Sequence, residues 1–241
     1  MKVTVVNTGS FGNCYILEEN GRALLIECGV LFKDIQAALN FDLLKVDACI
    51  ISHEHKDHCK AVIQVAGAGI PICASKGTFD ALGVSFEMRD VIAKHGKEFM
   101  INAWSIIPFT VEHDAKEPMG FIVHSIGDES VLFITDTYKI KWDMPHSFDL
   151  IMIEANYDED MIQGKSDIVN KRRLRSHFSI QNAIDYLGKL DLSETKQIML
   201  THLSDGVSDE RKFKQLTEAA FGIPTVVADK NTVIELWQAD F

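Results

Sequence analysis

The sequence predicts an α/β protein in which two β-sheets face one another and helices cover their outer sides. Short β-branched runs, which are typical of strands, recur along the chain in two groups. Segments with helical spacing interrupt both groups, a pattern typical of sheets flanked by helices. The chain has 241 residues, of which 46% are hydrophobic, and this is ample for a buried core.

Eleven strands are predicted from these runs, and periodicity alone does not give their order in the sheets. They span residues 3–6, 14–17, 23–27, 48–52, 104–111, 120–125, 131–135, 150–154, 198–201, 225–228 and 232–236.

Two helices are predicted from apolar residues that recur every three or four positions. The first begins near Ser179, and its apolar face consists of Ile180, Ala183, Ile184, Leu187 and Leu190. The second carries Phe213, Leu216 and Ala220 on its apolar face, and Gly222 is expected to end it.

The chain is expected to form a single domain over residues 1–241, because it contains no repeat, low-complexity tract or linker. No membrane span is expected, since the most apolar stretch, residues 61–74, contains Gln64 and two glycines and is shorter than the roughly 18 to 20 residues required. The five cysteines are odd in number and include no C-x-x-C pair, which predicts reduced thiols in a cytoplasmic protein.

The charge of the chain restricts its partners. Subtracting 35 acidic from 24 basic residues gives a net charge of −11, which repels polyanions and disfavours indiscriminate coating of DNA. A nucleic-acid substrate would therefore require bound divalent cations or a local basic patch.

The chemically informative segment lies directly after a predicted buried strand. It contains His53, His55, Asp57 and His58 within six positions. Side chains alternate in an extended chain, so that His53 and His55 can hold one ion, and a turn would then direct Asp57 and His58 toward a second. Imidazole nitrogen and carboxylate oxygen are ligands that suit zinc, manganese or iron.

Three further candidate ligands stand where other apolar strands end. His113, Asp136 and His202 each follow such a strand, and loops held by a rigid sheet commonly present functional residues. His95, His124 and His146 lack this context, and we expect them to be ordinary surface or packed residues.

In this order the motifs resemble the metallo-β-lactamase superfamily of binuclear metal hydrolases. The resemblance covers essentially the whole chain and is closest to the YycJ (WalJ) group, which is associated with exonuclease activity on DNA. The segments that carry it are GSFGNCYIL, SHEHKDH, EHDAKEPMGF, ITDT, EANYD, SHFSIQNA and THLS. It implies an αββα sandwich of two mixed sheets and two divalent metal ions, zinc or manganese.

The resemblance also implies a role for each ligand. Asp57 is in addition a candidate proton acceptor, and two dications lower the pKa of a nearby water toward neutrality. Glu27 stands where the superfamily usually has an aspartate that orients the metal-binding loop, so that a longer carboxylate is expected to shift the loop or to bond a different ligand. The implied ligands are His53, His55 and His113 for the first ion, Asp57, His58 and His202 for the second, and Asp136 as the bridge.

A basic run precedes the predicted helix at Ser179. The segment around His177 resembles one that approaches the metal centre in the YycJ group, which makes His177 a candidate general acid for the departing oxygen of a phosphodiester. Arg173 and Arg175 would hold phosphates of the substrate. Basic runs are more often solvated surfaces, and the spacing by itself does not decide between the two.

Three functions remain open at this point. The leading one is a phosphodiesterase or nuclease that acts on nucleic acid, with a small phosphodiester as the alternative phosphate substrate. The second is hydrolysis of a small cyclic phosphodiester, lactone or thioester, and the third is a metal-stabilised binding module without turnover. A basic groove at the metals would favour the first function, and a closed apolar pocket would favour the second.

Overall fold

The two expected sheets are present in the computed structural model, which describes residues 1–83, 89–144, 146–162 and 168–236. Sheet 1 has seven strands in the order β14-β1-β2-β3-β4-β5-β6. Its strands are β1 Lys2–Asn7, β2 Cys14–Glu19, β3 Arg22–Ile26, β4 Val46–Ile50, β5 Ile72–Ser75, β6 Val91–Ala93 and β14 Val233–Glu235. Pairing is antiparallel from β14 to β3 and parallel from β3 to β6, so the sheet is mixed.

Sheet 2 also has seven strands, in the order β13-β12-β11-β10-β9-β8-β7. Its strands are β7 Phe99–Ile101, β8 Trp104–Thr110, β9 Met119–Ser125, β10 Ser130–Ile134, β11 Leu150–Glu154, β12 Gln197–Thr201 and β13 Thr225–Val227. Pairing is parallel from β10 to β13 and antiparallel from β10 to β7, which makes this sheet mixed as well.

Helices pack on the outer side of each sheet. The described helices are α1 Phe32–Ala38, α2 Lys56–Cys59, α3 Val62–Gly67, α4 Lys76–Leu82, α5 Glu159–Ile162, α6 Ile168–Ser176, α7 Ile180–Leu187 and α8 Glu210–Phe221. Both predicted helices are present, but of the apolar face predicted for α8 only Phe213 is buried, whereas Leu216 and Ala220 are exposed. Ser179 caps α7 by accepting a hydrogen bond from the backbone N–H of Asn182, and Gly222 ends α8 with a left-handed φ of 68°. Among the described helices, none is both long and apolar enough to cross a membrane.

Alternating side chains divide the apolar residues into layers. Ile50 of β4 packs in the core between the sheets, whereas its neighbours Cys49 and Ile51 face the helices outside sheet 1. In sheet 2, Phe133 packs between the sheets and Leu132 faces the helices. The expected sandwich of two mixed sheets with helices outside is thereby confirmed.

All eleven predicted strands are present, within two or three residues of the expected ends. The prediction omitted β5, β6 and β7, which are only three or four residues long. The five cysteines are buried free thiols. Burial raises the pKa of Cys59 to about 12, and this side chain packs with the apolar residues outside sheet 1.

Strand direction brings the candidate site residues to one edge of each sheet. In sheet 1, β3 and β4 are parallel, so the residues that follow them lie at the same edge. In sheet 2, β10, β11 and β12 are parallel, and β8 has the same direction because both β8 and β10 pair antiparallel with β9.

Candidate metal centre

The chain turns directly after β4, as the spacing of its histidines predicts. His55 has an extended backbone (φ −64°, ψ 145°), and α2 begins at the next residue. This places Nε2 of His53 and Nδ1 of His55 only 3.0 Å apart, while Asp57 and His58 lie on the helical turn.

A first group of candidate ligands forms around these two imidazoles. Nε2 of His113 lies 3.3 Å from Nδ1 of His55 and 3.5 Å from Oδ2 of Asp136. The ligand atoms of His53, His55, His113 and Asp136 all lie within 4.8 Å of one another.

A second group lies on the other side of Asp136. Oδ2 of Asp57 is 3.4 Å from Nε2 of both His58 and His202. Oδ2 of Asp136 is 3.4 Å from Nε2 of His58. These four side chains also have ligand atoms within 4.8 Å of one another. The seven residues that the sequence analysis assigned as ligands are therefore all brought together, with Asp136 shared by both groups.

The outward nitrogens of these imidazoles have partners of their own. Nδ1 of His53 lies 2.9 Å from Oγ of Ser52, and Nδ1 of His113 lies 2.7 Å from the backbone oxygen of Ser176. Metal-binding histidines are usually oriented by such contacts through the second ring nitrogen. The inward nitrogens lie close to one another and to the carboxylates, which is a donor set that fits a metal ion.

Glu27 is fully buried below this centre. Its carboxylate accepts a hydrogen bond from the backbone N–H of Ser52, and Oε1 lies 3.4 Å from Nδ1 of His58. Glu27 thus contacts both the start of the histidine segment and one candidate ligand, although burial raises its own pKa.

A further buried carboxylate, that of Glu154 at the end of β11, is not among the predicted site residues. Its Oε1 lies 2.6 Å from Nδ1 of His177 and 3.1 Å from Nδ1 of His202. Its Oε2 accepts hydrogen bonds from the backbone N–H groups of Thr137 and Phe178. One side chain therefore connects three loops at the centre. Glu154 ends an apolar strand, which is the same signal that identified Asp136.

Three residues at the centre have a left-handed backbone, which is uncommon for residues other than glycine. The φ angles are 65° for Glu27, 40° for Asp136 and 54° for His202. Strained conformations of this kind cost free energy and are concentrated at functional sites.

Carboxylates make the centre favourable for positive charge. Burial lowers the pKa of His202, but Asp136, Asp57 and Glu154 outweigh burial and raise it to about 10. The pKa of Asp136 is well below its usual range because His202 and His58 outweigh the effect of burial. Carboxylates that stabilise the positive charge of protonated imidazoles can also stabilise a divalent cation bound in place of those protons.

A cavity of about 410 Å³ opens over the centre. Its lining includes His55, Asp57, Asp136, His177 and His202 together with three basic side chains, Lys56, Arg172 and Arg173.

The two arginines named from the sequence are in different places. Arg173 lines the cavity, where its guanidinium donates to Asn156 Oδ1 at 3.2 Å and to Ser204 Oγ at 3.1 Å. Arg175 is exposed and does not line this cavity. Arg172 lines it instead, because positions 169, 172 and 173 share one face of α6.

Asn156 and Ser204 are not among the predicted site residues, although both lie in segments that carry the family resemblance. Nδ2 of Asn156 donates to the backbone oxygen of His202 at 2.9 Å, and Oδ1 of Asn156 accepts from Arg173. Asn156 and Ser204 both line the cavity. The histidines set aside earlier lie elsewhere: His124 is on β9 with its ring 5.2 Å from that of His146, and His95 accepts from the backbone N–H of Thr110.

Comparison with known proteins places this geometry in a family context. A model of the beta-lactamase superfamily domain matches residues 22–203. The exodeoxyribonuclease WalJ of Streptococcus pneumoniae is 30% identical over 220 residues, which cover 84% of this chain and 81% of the relative. The exodeoxyribonuclease YycJ of Bacillus anthracis is 29% identical over 220 residues, covering 83% of this chain and 81% of the relative.

Solved structures show the same fold at lower identity. The metallo-β-lactamase fold protein YhfI from Bacillus subtilis has a TM-score of 0.76 at 18% identity, covering 97% of this chain and 99% of that one. The short form of human tRNase Z has a TM-score of 0.72 at 16% identity, covering 99% of this chain and 100% of that one.

Proposed function

The chain belongs to the metallo-β-lactamase superfamily, and on that basis we propose that it is a binuclear metal-dependent phosphodiesterase that degrades DNA as an exonuclease. The observation that carries the proposal is a pair of ligand groups sharing Asp136 beneath a cavity lined by basic side chains. The two relatives named as exodeoxyribonucleases support the choice of substrate.

Two divalent ions, zinc or manganese, are assigned to the two ligand groups. The nitrogen and oxygen donors suit either metal, and the sequence contributes no thiolate to either group. When bound, such ions lower the pKa of water and neutralise charge on phosphoryl oxygens. His53, His55 and His113 would hold the first ion, Asp57, His58 and His202 the second, and Asp136 both.

The basic residues of the cavity are assigned to the phosphate. A guanidinium presents its N–H donors in a planar fork that matches phosphate oxygens. The contacts of Arg173 with Asn156 and Ser204 hold this fork in a fixed orientation beside the centre. Lys56 adds a further positive charge at the same cavity.

Proton transfer is assigned to His177 and Asp57. Glu154 engages Nδ1 of His177, which leaves Nε2 as the ring atom for the departing oxygen of the substrate. Burial lowers the pKa of His177, but the charges of Glu154 and Asp136 outweigh burial and raise it, which favours the protonated form that a general acid requires. Asp57 lines the cavity, and its carboxylate can accept the proton of the attacking water.

One experiment distinguishes the proposed nuclease from the other two functions, a hydrolase of small substrates and a metal-stabilised binding module. A metal-reconstituted preparation is offered bis-p-nitrophenyl phosphate, nitrocefin and end-labelled DNA. We expect hydrolysis of the phosphodiester and stepwise release of mononucleotides from one end of the DNA, with no turnover of nitrocefin. Asp136→Ala protein, prepared in the same way, serves as the control for a contaminating nuclease.

Either of two outcomes would reject the proposal. Turnover of a lactam or thioester without turnover of any phosphodiester would establish the small-molecule hydrolase. No turnover by a preparation with a full complement of metal would establish the binding module. Affinity for DNA is expected to be modest, because the net charge of −11 leaves only local basic contacts to retain the strand, and to fall as salt competes with those contacts.

A further inference from the structure

A second cavity of about 360 Å³ lies beside α6 and adjoins the cavity over the metal centre. The two cavities share one side chain, that of Arg172. The second cavity is lined by Asp114, Ile168, Lys171, Arg172, Arg175 and Ser176.

The geometry of α6 explains why two cavities meet at Arg172. Ile168, Lys171, Arg172 and Arg175 follow the spacing i, i+3, i+4 and i+7, so they lie on one face of the helix. The face toward the metal centre carries positions 169, 172 and 173. The two faces overlap at Arg172. A nucleic-acid strand that left the metal centre past this residue would therefore reach the second cavity directly.

The charges on the second face are available to a ligand. Arg172 is paired with Asp114, with Nε 2.6 Å from Oδ2. Lys171 and Arg175 are both exposed, and neither forms an ion pair with a carboxylate in the described parts of the chain. On a protein with a net charge of −11, two such cations side by side next to the candidate metal centre favour an anionic ligand.

The same face also offers an apolar contact. The side chain of Ile168 is 86% exposed, and it lies one turn from Lys171 on the helix. A surface that combines two cations with an exposed apolar side chain matches a nucleotide, which has an anionic phosphate next to an apolar sugar and base face.

We propose that this second cavity, the α6 subsite, binds the nucleotide that neighbours the scissile phosphodiester. Lys171 and Arg175 hold its phosphate, and its sugar and base lie against Ile168. The choice of a nucleotide as the ligand rests on the proposed function. The subsite adds to that function, because it defines the substrate as a polynucleotide strand rather than a small phosphodiester. Arg175 thereby serves a neighbouring phosphate and not the one at the metal centre.

Binding is tested with the metal-loaded protein and a labelled ten-nucleotide single strand of DNA that carries phosphorothioate linkages to resist hydrolysis. Fluorescence anisotropy gives the affinity over a series of salt concentrations. The double variant Lys171→Gln/Arg175→Gln should bind about tenfold more weakly at low salt, and its log–log salt slope should be smaller by roughly 0.7, because the two cations hold a single phosphate. Ile168→Ser should weaken binding without changing the slope.

A matched double variant, Lys33→Gln/Lys189→Gln, removes the same charge from exposed positions that line neither cavity. It should retain the salt slope of the wild-type protein. An unchanged slope in the α6 variant, or an equal loss in the matched variant, would overturn the subsite.

Failure of the subsite is distinguishable from failure of the proposed function. Wild-type protein that hydrolyses unmodified DNA while the α6 variant binds with the wild-type slope would remove the subsite and leave the nuclease. Wild-type protein that binds the strand through this face but leaves unmodified DNA intact would remove the nuclease and leave only a nucleotide-binding site on α6.

Discussion

Oε1 of Glu154 lies 2.6 Å from Nδ1 of His177, and His177 lines the cavity together with several candidate metal ligands. A buried carboxylate that engages one nitrogen of an imidazole fixes both the orientation of the ring and the position of its proton. The contact therefore ties the proposed general acid to the same strand end that supports His202.

His177→Ala should retain its metal content and lose most of its activity on phosphodiesters with a poor alkoxide leaving group. Loss of a general acid typically costs about 10²- to 10⁴-fold in rate. The loss should be much smaller on nitrophenyl esters, because nitrophenolate departs without a proton. Rates on the two substrate types, with metal analysis of the same preparation, provide the measurement.

Two results would be incompatible with the general acid. An equal loss on both types of substrate would show that His177 acts on binding or on the metals, and full activity on both would show that it has a packing role only.

Glu154→Gln tests positioning rather than proton transfer. The amide cannot accept from all four donors that the carboxylate engages, so His202 and His177 both lose a fixed partner. Partners of this kind typically contribute 10- to 100-fold in metal affinity or activity, and we expect a loss of about that size when metal is titrated into the metal-free variant. Glu154→Asp should recover part of it. Wild-type metal affinity in the amide variant would contradict the positioning role.

Asp136→Ala should weaken both metal sites, since its carboxylate belongs to both ligand groups. His202→Ala, which alters only the second of these two groups, should lower the stoichiometry toward one ion per chain. Metal analysis of both variants after dialysis distinguishes the two effects, with His124→Ala as a control for loss of an imidazole outside the centre. If Asp136→Ala keeps one ion at wild-type affinity, the bridging assignment is wrong.

Asp149 is expected to make stability depend on pH, far from the metal centre. It accepts from the backbone N–H and the hydroxyl of Ser130, both at 2.8 Å, and pairs with Lys196 at 2.9 Å. Burial raises the pKa of Asp149, but these contacts outweigh burial and lower it. A carboxylate with a lowered pKa stabilises the folded state above its unfolded pKa of about 3.9, and this stabilisation is lost as the pH falls through the lowered value.

Asp149→Asn should therefore be less stable than the wild-type protein by about 1 to 2 kcal/mol at pH 7, a value that allows for partial exposure. The difference should shrink below about pH 4 as the wild-type carboxyl group is protonated. Urea unfolding of both proteins at pH 7 and pH 3 measures it, and a difference that grew on acidification would have the wrong sign.

Strong local patterns made most of the fold predictable. The β-branched run of β1 and the apolar face of α7 are long enough to specify a strand and a helix from the sequence alone. The short strand β7 is not, because its three residues form a strand only through pairing with β8. β5 lies in an apolar stretch where periodicity does not distinguish a strand from a buried helix.

The candidate site divides in the same way. His53 and His58 could be identified because several metal-ligand types stood close together in the sequence. Asn156 and Ser204 are amide and hydroxyl residues in loops, and only tertiary structure brings them to Arg173. The choice between Arg172 and Arg175 depends on how α6 is rotated, which a run of basic residues does not specify.

At Glu27, Asp136 and His202, which have a left-handed backbone, the residues best for stability differ from the residues needed for catalysis. Glycine or asparagine adopts such angles more readily, so a screen that rewards only thermal tolerance should enrich those residues at these three positions. Each replacement would relax the chain and remove a carboxylate or imidazole from the centre. Descendants of this sequence that had lost their catalytic task would therefore be expected to acquire glycine or asparagine at these positions first. The residues at the three positions of a related sequence would then indicate whether that chain still catalyses hydrolysis.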